Sequence, residues 1–411
     1  MFNIMEIRGD KMEQFIPLSV PNLKGNELKY VTDAIEKEWV STGGTYIDEF
    51  ENNIAKYLKT EAAVACQSGT AAIHLALIRS GITKTDEVIV PTLTFIAAVN
   101  PIKYCNAHPL FMDCDDSLTL DVDKLEQFCI QECEFIDGVL INNRTGRNVK
   151  AVIVVHVFGN LANMEKLMDI AQRYNLMVIE DATEALGSHY EDGIYKGKFA
   201  GTIGDFGCYS FNGNKIITTG GGGMIVAKNK NDLKKIKYLS TQAKDDILYY
   251  LHNEVGYNYR MTNLQAALGV AQLEKLEEFI DIKRKNYNLY KELFDNIEGM
   301  KILDFNNKIR PNYWFYSLLL EDNKFDRDEL IEKLGQEKIQ TRPIWGLIHE
   351  QKPYVSEQCY KIEKARYYHD RIINIPCSTN LKTEDVEFVI RGIKEIINKR
   401  GIINESFDGS I

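Results

Sequence analysis

Two apolar runs decide the fold, Val152-Ile153-Val154-Val155-His156-Val157 and Met177-Val178-Ile179-Glu180, with a helical stretch from Met164 to Tyr174 between them. The first run has the composition of a strand that is buried on both faces, and the second leads directly into Asp181. Continuous apolar strands that alternate with helices are typical of a mostly parallel sheet covered by helices on both sides. The sequence therefore predicts an α/β fold.

The same alternation extends toward the N-terminus. Further strands are predicted at Ala62–Cys66, Glu87–Pro91 and Pro109–Asp113, and a helix at Ala71–Arg79. Sheets of this kind bind ligands at the carboxyl ends of their strands. The polar and glycine-containing segments that follow these strands are Ser68–Thr70, Thr92–Phe95, His156–Asn160 and Asp181–Glu184. We therefore expect these segments to meet at one site.

A second domain is predicted after a long amphipathic helix at residues 263–282. A strand is expected at Tyr313–Leu320, and helices at Asp326–Leu334 and Asp385–Asn398, each of which opens on an aspartate that can cap it. The predicted organisation is an N-terminal arm at 1–23, a large cofactor domain at 24–280, a small C-terminal domain at 281–400 and a tail at 401–411.

Composition restricts the classes of function. The 411 residues carry a formal net charge of −10, which argues against nonspecific binding to nucleic acid or to an acidic membrane surface. The eight cysteines form no zinc-ligand pattern, so we expect free thiols in the cytoplasm and no metal. The sequence has neither a membrane-spanning apolar stretch nor a signal-peptide core, and Met12 is an alternative start to Met1.

Lys215 is the candidate catalytic residue. It closes the stretch Ser210-Phe211-Asn212-Gly213-Asn214-Lys215 and is followed by four glycines, Gly220 to Gly223. A lysine held in a tight, partly desolvated turn can act as an amine nucleophile toward a carbonyl. Asp181, at a strand end, can face the ring nitrogen of pyridoxal phosphate and keep the ring electron-withdrawing. A structural ion pair is the alternative interpretation of Asp181.

Other motifs have both a functional and a structural interpretation. Gly69 and Thr70 open a predicted helix, where free N–H groups favour a phosphate, although Ser68 could simply be a helix cap. Phe95 could stack on a flat ring or fill the core. Arg260, between Asn258 and Asn263, could bind an anion or be a solvated residue before a helix.

Together these motifs resemble the DegT/DnrJ/StrS-type sugar-nucleotide aminotransferases, which depend on pyridoxal phosphate. The resemblance runs from about Pro17 to about Lys399. It implies the aspartate-aminotransferase type of fold (fold type I), with a large, mostly parallel α/β domain and a smaller C-terminal α+β domain. It also implies a homodimer with shared active sites.

By matched position, the resemblance implies that Lys215 bonds to the cofactor and that Asp181 contacts the pyridine nitrogen. It implies further cofactor contacts by Gly69, Thr70, Phe95, Glu184, Ser210 and Asn258. Substrate contacts are implied for Trp39, Ser41, Thr42, Arg260 and His349. Many members have glutamine where this chain has Glu184, which leaves the hydrogen bonding near the cofactor's 3-oxygen open.

Three stretches look like the legionaminic-acid branch of the family: Phe15–Pro21, Glu38–Gly44 and Phe211–Lys215. That branch implies transfer of an amino group from glutamate to C4 of UDP-2-acetamido-2,6-dideoxy-hexos-4-ulose. A C3 aminotransferase, or one that uses a GDP- or dTDP-sugar, is the alternative within the family. A dehydratase relative would typically have histidine at position 215, and an inert cofactor-binding regulator is the alternative from another class.

Overall fold

The computed structural model describes residues 15–246, 248–295, 297–321 and 326–407. Its helices are α1 (Glu27–Glu36), α2 (Thr45–Leu58), α3 (Gly69–Arg79), α4 (Asn100–Tyr104), α5 (Val122–Gln131), α6 (Met164–Tyr174), α7 (Lys230–Ser240), α8 (Asn263–Leu273), α9 (Leu276–Phe294), α10 (Arg327–Gln336), α11 (Lys364–Arg371) and α12 (Thr383–Phe407). Its strands are β1 (Val64–Cys66), β2 (Asp86–Pro91), β3 (His108–Met112), β4 (Cys133–Ile136), β5 (Val139–Asn142), β6 (Asn148–Val155), β7 (Met177–Asp181), β8 (His189–Tyr190), β9 (Phe206–Ser210), β10 (Gly223–Ala227), β11 (Met300–Ile302), β12 (Ile309–Arg310), β13 (Tyr316–Leu320), β14 (Arg342–Pro343), β15 (Cys359–Tyr360) and β16 (Ile372–Ile375).

The central sheet has the strand order β1-β10-β9-β7-β6-β2-β3-β15. Neighbours from β9 to β15 are parallel, whereas β10 runs antiparallel to both β1 and β9. The residues of β2 and β10 are almost all buried, as is expected for strands with helices on both faces. The predicted α/β class with a mostly parallel sheet is confirmed.

A second sheet, with the order β11-β13-β16-β14, is antiparallel and lies in the C-terminal part of the chain. The N-terminal segment packs on this part: Ile16 forms a parallel bridge with Ile339, and Leu18 accepts a hydrogen bond from the Cys377 N–H at 2.8 Å. Residues 1–14 of the predicted arm and 408–411 of the predicted tail lie outside the described residues. The boundaries of the four predicted segments stay predictions.

The predicted single helix at 263–282 is wrong, because the chain forms two helices, α8 and α9, that meet at Glu274 and Lys275. Helix α8 packs against α1 and α2, whereas α9 packs against α12 and β11. The two helices thus pack against different elements of the chain. Within the described ranges, no helix combines the length and apolar character needed to cross a membrane.

Candidate active site

The carboxyl ends of the parallel strands surround one cavity of about 390 Å³. Val155 and Asp181 lie opposite each other at the ends of β6 and β7, and Asp181 is in turn opposite Cys208 of β9. Of the residues predicted for the site, the cavity lining includes Gly69, Thr70, Phe95, Asp181, Glu184, Ser210 and Lys215. The structure therefore brings together side chains that are up to about 150 residues apart in the sequence, as parallel strands with their ends at one edge do.

The N-terminus of α3 forms one end of the cavity. Ser68 caps this helix, since its Oγ accepts a hydrogen bond from the Ala71 N–H at 3.1 Å. The N–H groups of Gly69 and Thr70 belong to the first turn, where a helix supplies no carbonyl partner, so they can bind an anion. A Cβ on Gly69 would lie only 2.8 Å from Thr183 Cγ2 and 3.0 Å from Ser210 Cβ, so a larger residue would crowd this end.

Lys215 projects into the cavity from the turn after β9, with its side chain only 12% exposed. The turn is closed by a hydrogen bond from the Lys215 N–H to the Asn212 carbonyl at 3.0 Å. The amine Nζ lies 3.7 Å from Glu184 Oε1 and 4.1 Å from the ring centroid of Trp314. The amine is therefore enclosed by a carboxyl and an aromatic face.

Asp181 is buried at the end of β7, and its Oδ1 accepts a hydrogen bond from the Thr183 N–H at 3.0 Å. Burial raises the pKa of Asp181, while the Thr183 hydrogen bonds and the charge of Lys215 oppose that rise. One N–H donor leaves further acceptor capacity on this carboxylate. The side chain can therefore accept a hydrogen bond from a group that binds in the cavity.

Glu180 precedes Asp181 on β7 but is not part of the cavity lining. It is fully buried and accepts hydrogen bonds from His156 Nε2 at 2.9 Å and from the N–H groups of Gly201, Ile203 and Gly204 at 2.5–2.8 Å. Successive side chains of a strand point to opposite faces, so Glu180 and Asp181 face different environments. Glu180 organises the fold beneath the cavity.

Glu184 lies in the turn after β7 and is also buried. Its Oε2 accepts a hydrogen bond from the Phe158 N–H at 2.9 Å, and its Oε1 is the oxygen near Lys215. Burial raises the pKa of Glu184 to about 7, against the opposing effects of Lys215 and of the Phe158 hydrogen bond. Glu184 can therefore exchange a proton near neutral pH.

The raised pKa of Glu184 predicts that the stability of the cofactor-free protein falls with rising pH. A carboxyl with a higher pKa in the folded than in the unfolded chain stabilises the fold fully below about pH 4.5, and this contribution is lost as the pH rises through 7. Between about pH 5 and about pH 8, we expect the unfolding free energy of Glu184→Gln to fall less than that of wild type, by on the order of 1–3 kcal/mol. Urea unfolding of both proteins at about pH 5 and about pH 8 measures it.

Glu191→Gln, at an exposed position of the same region, is the matched control and should leave the dependence unchanged. If the unfolding free energies of wild type and Glu184→Gln fell equally between the two pH values, the assignment of Glu184 would be wrong.

Three aromatic side chains that were not predicted from the sequence form one wall of the cavity. Trp314, Phe315 and Trp345 line the cavity beside Phe95, which is 53% exposed and so has a free face. The rings of Trp314 and Phe315 are stacked at 4.1 Å with 9° between their planes. Two of the three tryptophans of the chain lie here, and their rarity was the signal that could have found them.

Six predicted residues do not line the cavity within the described part of this chain: Trp39, Ser41, Thr42, Asn258, Arg260 and His349. Asn258 is exposed, while Tyr259 beside it turns inward, with its OH 3.1 Å from His74 Nδ1. The Arg260 Nη2 donates to Gln242 Oε1 at 3.4 Å, and its Nε is buried without a partner among the described residues.

The other four residues lie in two segments, and each segment is bound by a distant part of the chain. Asn263 donates from Nδ2 to the Trp39 carbonyl at 2.7 Å and from its N–H to the Ser41 carbonyl at 2.6 Å. His349 Nδ1 lies 2.7 Å from Thr92 Oγ1, just beyond the end of β2. The predicted contacts of these residues with substrate stay predictions.

Known proteins match this chain along most of its length. The model of the DegT/DnrJ/EryC1/StrS aminotransferase family matches residues 21–394. GDP-perosamine synthase of Escherichia coli O157:H7 is 37% identical over 388 residues, which are 94% of this chain and 100% of that protein. UDP-4-amino-4,6-dideoxy-N-acetyl-beta-L-altrosamine transaminase of Campylobacter jejuni (strain 81-176) is 30% identical over 396 residues, 93% of this chain and 98% of that protein.

The fold is also that of a solved structure. An aminotransferase of Helicobacter pylori that is involved in the biosynthesis of pseudoaminic acid has a TM-score of 0.83 at 22% identity, over 93% of this chain and 99% of that one. The protein is thus an aminotransferase that acts on nucleotide sugars and depends on pyridoxal phosphate. The chain belongs to the DegT/DnrJ/EryC1/StrS aminotransferase family.

The cavity has the groups that pyridoxal phosphate needs. The first turn of α3 offers N–H donors to a phosphate, and the glycine at position 69 avoids a clash with Thr183 and Ser210 there. A buried carboxylate, Asp181, and a largely enclosed amine, that of Lys215, lie within the same cavity. This donor set fits an anionic, aromatic aldehyde with a basic ring nitrogen.

Proposed function

We propose that this protein transfers an amino group from glutamate to the keto carbon, C4, of a nucleotide-linked 4-keto-6-deoxy sugar. The observation that carries the proposal is the enclosure of the Lys215 amine in the same cavity as Asp181 and the N-terminus of α3. A protein that only bound the cofactor would have no need of an amine held against a carboxyl that titrates near neutral pH.

Each residue has a defined task in this proposal. The Gly69 and Thr70 N–H groups and the Ser210 hydroxyl would bind the phosphate, and Phe95 would stack on the ring. Asp181 would hold a proton on the ring nitrogen. Pyridoxal phosphate, when bound, supplies an electron-withdrawing ring that carries the amino group from donor to acceptor. Lys215 Nζ would move the proton at the reacting carbon, in a cavity that its walls shield from water.

Two nucleotide sugars are candidates. The sequence favours UDP-2-acetamido-2,6-dideoxy-hexos-4-ulose, and the Campylobacter relative is named for a UDP-linked sugar with an amino group at C4. The 37% identity to a GDP-perosamine synthase supports a GDP-linked sugar as the second candidate. Trp39, Ser41, Thr42, Arg260 and His349 are proposed to contact the sugar nucleotide, and the cytoplasmic location stays a prediction.

A panel of UDP-, GDP- and dTDP-linked keto sugars, incubated with the enzyme and glutamate, tests the proposal. We expect one nucleotide to be preferred and NMR of the product to place the new amine at C4. An amine at C3 would contradict the C4 assignment. Loss of a hydroxyl without amination would favour a dehydratase, and binding of cofactor without turnover of any sugar would favour the inert regulator.

We also propose that the active protein is a homodimer in which Asn258 and Arg260 serve the cavity of the second copy. Tyr257 and Tyr259 are stacked 5.1 Å apart on their own chain, near His74. The Tyr259 carbonyl also accepts a hydrogen bond from the Gln67 N–H at 2.8 Å. This anchoring leaves Asn258 exposed and supports a role outside its own chain.

Mixing two inactive variants tests this arrangement. Lys215→Ala and Arg260→Ala should each be nearly inactive alone, because each site needs both side chains. After the mixture is unfolded and refolded together, half of the dimers are mixed and each has one intact site, so about a quarter of wild-type activity should return. If activity stayed at the sum of the separate variants, Lys215 and Arg260 would not act from different chains.

A further inference from the structure

We infer that Trp314, fixed by Lys283, is a positioning residue that holds the Lys215 amine in place whenever that amine is free. The inference rests on the proposed function, because amino transfer requires Lys215 to work as a free amine after the donor has bound. Neither Trp314 nor Lys283 was predicted for the site from the sequence. Both are almost completely buried.

Trp314 contacts the Lys215 turn in two ways. Its ring centroid lies 4.1 Å from Lys215 Nζ, within the range of about 6 Å in which an aromatic face attracts a cation. Its indole Nε1–H donates to the carbonyl of Asn214, the residue before the lysine, at 2.7 Å. One side chain therefore fixes both the backbone of the turn and the end of the lysine.

Lys283 fixes the backbone of Trp314. Its Nζ donates to the Trp314 carbonyl at 3.0 Å and to the Cys377 carbonyl at 2.5 Å. In the part of the chain that the structure describes, no carboxylate offsets the burial of this amine, and burial lowers its pKa. Burial of a charge without a counter-ion is costly, so an apolar side chain would be expected at this position of α9 unless the carbonyl contacts mattered.

A second hydrogen bond joins the same region of α9 to the segment that contains Trp314. The Tyr316 hydroxyl donates to the Lys283 carbonyl at 2.8 Å, and Tyr316 is the first residue of β13. The segment 314–316 is thus bonded to α9 on both sides of Phe315. The indole of Trp314 has little freedom to turn away from Lys215.

This arrangement suits a lysine that must bond to the cofactor, be released from it and bond to it again. A released lysine side chain has four rotatable bonds, and fixing its amine near the reacting carbon lowers the entropic cost of each proton transfer. The ring of Trp314 attracts the ammonium form without exchanging a proton with it, while Glu184 lies 3.7 Å away as a group that can. The two groups define one resting position for the amine.

The test compares Trp314→Leu, Trp314→Phe and Lys283→Met with Lys285→Met, an exposed lysine on the same helix. We expect kcat to fall about 10- to 100-fold in Trp314→Leu and less in Trp314→Phe, which keeps a ring, with KM for both substrates nearly unchanged. The kcat of Lys283→Met should lie between the values of wild type and Trp314→Leu, and the kcat of Lys285→Met should match that of wild type. Equal kcat in Trp314→Leu and wild type, or a loss confined to KM, would overturn the inference.

A second readout does not depend on turnover. In cofactor-free protein, the rate at which acetic anhydride modifies Lys215, measured by mass spectrometry, should rise about 3- to 30-fold in Trp314→Leu and in Lys283→Met. Modification of Lys285 provides the internal reference. An unchanged modification rate at Lys215 would contradict the positioning role of Trp314, even if wild type proved inactive on every sugar. Failure of this inference can therefore be distinguished from failure of the proposed function.

Discussion

Lys215→Ala is expected to abolish amino transfer, with kcat lower by about 10⁴-fold or more. The variant loses both the amine that bonds to the cofactor and the base that moves the proton, and each contribution alone is large. The fold should persist, because the side chain is held by an aromatic face and a 3.7 Å contact with Glu184, not by a network of hydrogen bonds. Steady-state assays of 2-oxoglutarate, together with the visible absorption of the lysine-bound cofactor, measure the effect.

Lys196→Ala, at an exposed position, is the control and should retain wild-type turnover and absorption. A small primary amine added to Lys215→Ala should restore part of the lost rate, because the cavity would have room for it. Turnover near the wild-type level in Lys215→Ala would exclude Lys215 as the catalytic amine.

Asp181→Asn is expected to have the second largest effect, a loss of about 2–4 kcal/mol of transition-state stabilisation in kcat/KM. A neutral amide cannot stabilise a positive charge on the ring nitrogen, so the ring withdraws electrons less strongly. The amide oxygen can still accept the Thr183 hydrogen bond, now 3.0 Å long, so the local fold should be kept. Steady-state kinetics with glutamate and the preferred sugar nucleotide provide the measurement.

Glu180→Gln is the matched control, since Glu180 is the neighbouring carboxylate on the opposite face of β7. It should lower the free energy of unfolding by about 1–3 kcal/mol and leave the chemical step nearly intact. Wild-type kcat/KM in Asp181→Asn would mean that this buried acid has only a structural role.

The sequence was sufficient for the fold class because long apolar strands can be recognised without knowing their neighbours. The strands that became β2, β3, β6 and β7 were each predicted within a few residues. Strand order was not accessible in the same way. Strand β10, which runs antiparallel between β1 and β9, follows a glycine-rich loop whose path depends on contacts from the rest of the sheet.

Side-chain direction was the second feature that could not be predicted from the sequence. Glu180 and Asp181 are adjacent acids at a strand end, and only the pleat of β7 in its final register separates the structural one from the one in the cavity. The break between α8 and α9 has a similar origin, because the two helices pack against different elements, and a single amphipathic pattern does not record that change.

Contacts between residues far apart in the chain were the third feature that could not be predicted from the sequence. Trp314 donates to the Asn214 carbonyl across 100 positions of sequence, and Lys283 acts on Trp314 from a helix that no motif marks. Asn258 and Arg260 belong to the site only if a second chain supplies them, which no pattern within one chain can establish.

The most direct test of amino transfer from glutamate to the sugar follows the nitrogen atom. The enzyme is incubated with glutamate labelled with ¹⁵N at its amino group and with the preferred nucleotide-linked 4-keto sugar, and the products are examined by mass spectrometry and NMR. We expect one ¹⁵N atom bonded to C4 of the sugar for each 2-oxoglutarate formed, and no transfer by Lys215→Ala. A sugar product without the label, or 2-oxoglutarate formed without an aminated sugar, would contradict this expectation.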